Sequence, residues 1–125
     1  MNEEFVPFEL AKKLKENGYN KPFYFYHRTD DQHIHHVNTV SPLIYSDKID
    51  DEVIIAPTIS QVLKWLREEK NLCVEVLISV RGGWYNIIYE IAPRRGFDLK
   101  HMLIEEKSYE DAAIAGIEYV LDNLI

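Results

Sequence analysis

Apolar residues return every three or four positions in three stretches of the chain, and closer to every second position in others. This contrast lays out the elements. Val6, Leu10 and Leu14 fall at helical spacing, with Lys12, Lys13, Lys15 and Glu16 between them. Pro7 suits a first helical turn and Asn17-Gly18 a left-handed stop, so a helix is predicted over about 7–17. Ile59, Val62, Leu63 and Leu66 make a second apolar face, with Trp65 on its flank. Thr58 precedes it with Gln61 three residues on, the pattern of a capping box, which predicts a helix over 58–70. Ala113, Ile117, Val120, Leu121 and Leu124 make a third stripe behind Ser108, Glu110 and Asp111. Ser108 suits the N-cap and the two acids suit the positive end of a helix over 108–124.

Between these helices the period shortens. Residues 23–26 alternate Phe and Tyr and predict a strand with the Phe side inward. From His27 to Asp51 no period holds, and short strands are expected over 43–45 and 52–55 after a long loop. The β-rich runs 74–80 and 84–91 flank Gly82-Gly83 and predict a hairpin. A two-residue turn there would set Val80 opposite Tyr85, Ile78 opposite Ile87, Val76 opposite Tyr89 and Val74 opposite Ile91. The other face would then carry Arg81 with Trp84, Ser79 with Asn86, Leu77 with Ile88 and Glu75 with Glu90. The last pair sets like charges opposite each other, which calls for a neighbouring base or for solvent. Residues 93–101 read as a loop, with a short strand near 102–104. The expectation is one α+β domain over 1–125, a small mainly antiparallel sheet with the three helices packed on it.

Composition narrows the function classes. Twenty-one acids against fourteen Lys and Arg leave a net charge of −7, which disfavours nucleic acid and anionic membrane surfaces as partners. No apolar run approaches the ~20 residues of a bilayer span, and the acidic N-terminus lacks a signal-peptide pattern. Cys73 is the single cysteine, so no intrachain disulfide forms, and a reducing, cytoplasmic setting is expected. It sits where a strand begins beside apolar residues and reads as packing rather than as a nucleophile.

The candidate chemistry is sparse. His27, His33, His35 and His36, with Asp30 and Asp31, are the residue types that Zn²⁺ or Ni²⁺ takes, although a polar histidine loop is ordinarily just solvated. Arg94, Arg95 and Lys100 could hold a phosphate or carboxylate, or simply offset Glu105 and Glu106. Asp47, Asp50, Asp51 and Glu52 lack the alternate spacing and central glycine of a Ca²⁺ loop. No catalytic serine motif, phosphate-cradling glycine loop or Cys-x-x-Cys occurs, so no enzyme activity and no cofactor are expected.

Three segments carry a resemblance: FVPFELAKKLKENGYNKP at the N-terminus, IAPTISQVLKWLREEKNLCVEV in the middle and SYEDAAIAGIEYVLDNLI at the C-terminus. Together they resemble a family of small proteins from bacteriophage and Bacteroidetes genomes with no assigned function. The matches fall on helix starts and core faces, so the resemblance implies a fold and a phage or mobile-element origin, and no site residues. The leading expectation is a non-enzymatic accessory or interaction protein, with Trp84, Leu77 and Ile88 as the face for a protein partner or a second copy. The alternative is a metal-binding protein using His27, His33, His35 and His36.

Overall fold

The computed structural model describes residues 4–37, 53–80, 82–92 and 96–125. Along the chain run α1 (Phe8–Glu16), β1 (Phe25–Arg28), β2 (Ile34–His36), β3 (Val53–Ile55), α2 (Ile59–Glu69), β4 (Leu72–Ile78), β5 (Trp84–Ala92), β6 (Gly96–Glu106) and α3 (Tyr109–Asn123). The class is α+β, with two three-stranded antiparallel sheets in place of one. Each sheet belongs to its own compact unit: Phe5–Thr58 forms one, and Ile59–Ile125 with Glu4 forms the other. Among the described residues no helix is long and apolar enough to cross a membrane.

In the first unit α1 stops as its sequence predicts. The Gly18 N–H donates to the Lys15 carbonyl and the Tyr19 N–H to the Leu14 carbonyl, with Gly18 at φ 88°. These two bonds make a Schellman motif, and buried Tyr19 supplies its apolar contact. Leu10, Ala11 and Leu14 are the buried stripe of the helix. The sheet runs β2-β1-β3, with His27 opposite Ile34 on one side and Ile54 on the other. The expected strand over 23–26 begins two residues later, and β2 lies where only loop was expected. Its turn is held by side chains: Asp31 accepts from the His33 N–H at 2.9 Å, and Gln32 adopts φ 58°. The strand expected over 43–45 lies outside the described residues.

In the second unit β4, β5 and β6 form a meander, with α3 across one face and α2 against β4 and α3. The expected hairpin exists, but its register is corrected. The loop is one residue longer than expected: the Ser79 N–H donates to the Gly83 carbonyl, the Gly82 N–H donates to the Ser79 carbonyl, and Ile78 faces Trp84. Gly82, at φ 93°, takes the left-handed conformation that closes such a loop. Val74 therefore faces Ile88, Val76 faces Asn86 and Leu77 faces Tyr85, rather than the pairs a two-residue turn would give. The like-charged Glu75–Glu90 pair disappears with the old register. Glu75 faces Ile87, and Glu90 is met by Lys100 at 3.0 Å.

Residues 93–101 were expected to be a loop, yet β6 begins at Gly96 and runs eleven residues beside β5. The sequence hides it because the register shifts between Ile88 and Tyr89. His101 faces Ile88 and Leu99 faces Tyr89, which leaves Lys100 as the extra residue of a bulge.

α3 carries Ala112, Ala113 and Gly116 on its buried face, so its backbone lies close to the sheet. A Cβ on Gly116 would stand 2.7 Å from a methyl group of Val74 and 3.2 Å from Cγ of Asn86. The helix starts as expected, the Ser108 hydroxyl accepting the Asp111 N–H at 3.1 Å. Ser108→Ala is expected to lower stability by about 1 kcal/mol, read as the shift in a urea unfolding midpoint.

Candidate functional site

The structure does not bring the four histidines together. Strand geometry separates them: His27 pairs with Ile34, Tyr26 with His35, and Phe25 with His36, so His35 projects from the opposite side of the sheet to His27 and His36. His27 is buried, and its Nε2 lies 3.2 Å from the Val6 carbonyl. A carbonyl only accepts, so Nε2 carries the hydrogen. His35 stacks on Tyr26, with ring centroids 5.5 Å apart, and donates from Nε2 to Asp31 at 3.0 Å. His36 meets the Phe25 ring edge-on, while His33 lies in the turn. Among the described residues no group of three or more metal-ligating side chains converges.

The acids beside the histidines serve the hairpin. The Arg28 guanidinium holds the Asp30 carboxyl below its usual value and binds both its oxygens at 3.2 Å. The His33 N–H does the same for Asp31, with His35 adding to it. Asp31, His35 and Tyr26 thus form a half-exposed group that fixes a turn.

Of the expected anion loop, Arg94 and Arg95 lie outside the described residues. Lys100 sits on β6 and is engaged by Glu90, whose hydrogen bond raises its proton affinity. The Asp47, Asp50, Asp51 and Glu52 cluster also lies outside them. Burial pushes the Cys73 thiol up, with Glu75 adding to the effect, which opposes thiolate formation. A cavity of about 410 Å³ on the first unit is lined by Lys12, Lys15, Glu16, Thr29 and Ile54, mixed in charge and without a convergent set of buried polar groups.

The second unit offers a different surface. The expected interaction face of Trp84, Leu77 and Ile88 is split by the corrected register. Ile88 is wholly buried on the α3 side, and Trp84 lies on that side with its ring perpendicular to Tyr109 at 6.0 Å. Leu77 alone is on the open side. There the register builds three rows: Cys73–Tyr89–Leu99, Glu75–Ile87–Met102 and Leu77–Tyr85. Leu77, Leu99 and Met102 are 40%, 59% and 48% exposed. The bulge at Lys100 is what sets Leu99 and Met102, three apart in sequence, on one face. That spacing beside a bulge was the signal for the two residues that sequence reasoning missed. Glu75 is the single charged residue among the described members of these rows.

The chain matches no protein-family model, and no curated protein and no solved structure matches it.

Proposed function

We propose that this chain is a non-enzymatic accessory protein of the cytoplasm, of phage or mobile-element origin, that works by protein contact through the open face of β4-β5-β6, with a second copy as its partner. One observation carries the reading: the rows built on Leu77, Leu99 and Met102 present large apolar side chains with a single charge among their described members. Contiguous apolar surface of this kind favours burial against a partner. Each copy carries −7, so repulsion opposes association and salt is expected to strengthen it.

Native mass spectrometry and light scattering on the untagged protein test the proposal. The expected result is a dimer whose population rises with salt. Leu99→Asp with Met102→Asp is expected to give monomers with an unchanged far-ultraviolet spectrum, since both side chains project from the folded unit. A wild-type protein that stays monomeric at tens of micromolar, with or without salt, overturns the proposal.

A further inference from the structure

We propose that His27 is a proton-operated latch, which holds residues 5–7 on the β2-β1-β3 sheet while neutral and releases them when the imidazole gains its second proton. His27 is 3% exposed in the middle of β1, and its Nε2–H donates to the Val6 carbonyl at 3.2 Å. The other nitrogen, Nδ1, is buried with no hydrogen-bond partner. Val6 is held at both main-chain groups, because its N–H donates to the Pro57 carbonyl at 3.0 Å. Phe5 bridges Thr58, and its ring lies 4.9 Å from that of Phe25. The latch therefore closes the strap that leads into α1.

Every element around the ring presents apolar or uncompensating groups. Phe8 of α1 meets it edge-on at 5.7 Å, while Ile34 of β2 and Ile54 of β3 stand opposite. Lys12 of α1, whose Nζ lies 5.9 Å from the Phe8 ring centre, and His36 of β2, beside Phe25 on the same face, are titratable groups on these elements. Neither supplies negative charge, and no carboxylate enters the charge balance of His27. A second proton would place a charge without a counter-ion in a dry site, where only the main chains of Val6 and Gln32 offer it acceptors. Opening the strap hydrates it.

Burial lowers the proton affinity of His27 from its ordinary 6.5, and the main chains of Val6 and Gln32 offset this only in part. The sign follows. The open form takes the proton more readily than the closed form, so closure is fully favoured above 6.5 and weakens as pH falls below it. Each pH unit below that value multiplies the open fraction by up to about tenfold, until the closed form itself protonates.

The test is amide hydrogen exchange, corrected for intrinsic rates, at about pH 7.5 and about pH 5. In the wild type, protection of Val6 and of α1 is expected to fall at the lower pH, by up to about thirtyfold, while that of β4 and β5 holds. In His27→Phe the strap loses one hydrogen bond, but its protection is expected to be the same at both pH values. A nuclear magnetic resonance titration of the wild-type imidazole gives an answer that needs no variant. The latch is refuted if His27 titrates at its ordinary value, or if α1 protection does not follow it.

Discussion

Aspartate in place of Asn86 is expected to cost about 3–5 kcal/mol at neutral pH, the range for a buried charge left without a partner. Asn86 is 0% exposed beneath α3, and its Nδ2 donates to the Ala112 carbonyl at 2.9 Å, while Oδ1 has no partner. The variant keeps the shape and changes the chemistry. A carboxylate cannot donate to Ala112, and its flanking groups, Val74 and Gly116, offer no positive charge. Burial therefore raises the pKa of the new carboxyl in the folded state above the ordinary value of about 3.9. Above that value the unfolded chain releases a proton that the folded chain keeps, so stability relative to wild type falls as pH rises from about 4. Urea unfolding of both proteins at about pH 4 and about pH 7 measures the difference. A deficit that is the same at both pH values would mean that Asn86 reaches water.

Helices were legible in this chain and surfaces were not, for a physical reason. The observed Phe8–Glu16, Ile59–Glu69 and Tyr109–Asn123 each lie one residue inside the expected 7–17, 58–70 and 108–124 at either end. A helix is written locally: the apolar stripe, Ser108 and Gly18 all act within one turn of where they stand. A sheet face depends on which residue of one strand meets which of another, and that is set by a single count in the loop. Three loop residues instead of two exchange one set of β5 side chains for the other. Ile88 thereby goes inside, and Tyr85, Ile87 and Tyr89 join Leu77 on the open face. The bulge at Lys100 concealed β6 in the same way, and a second register shift between Leu103 and Glu106 breaks the pattern again. β2 was hidden differently. His33, His35 and His36 have no apolar period of their own, and the strand exists because β1 pairs with it. The expected contact face followed the register, so one more loop residue divides Trp84, Leu77 and Ile88 between the two sides of the sheet.

Gly116→Val is expected to destabilise the second unit by about 3 kcal/mol, with Gly116→Ala between it and wild type. Two effects oppose each other at this position. Alanine gains about 1 kcal/mol of helix propensity over glycine, and valine somewhat less because its branched side chain loses rotamer freedom. Against this, even a Cβ would stand 2.7 Å from the Val74 methyl group, closer than packed atoms approach. Val74 is buried and branched at Cβ, so it cannot swing aside at low cost. Overpacking of this kind costs about 1–3 kcal/mol for small insertions, and the two further methyls of valine act on Asn86 as well. Packing outweighs propensity for valine and narrowly for alanine. A double-mutant cycle separates the two terms. With Val74→Ala the nearer obstruction is gone and only the 3.2 Å approach to Cγ of Asn86 remains, so Gly116→Ala is expected to cost less there, with a coupling between the positions of about 1 kcal/mol or more. If Gly116→Ala stabilises the wild-type background by the full propensity, α3 does not approach the sheet at Gly116, and the small-residue face has another cause.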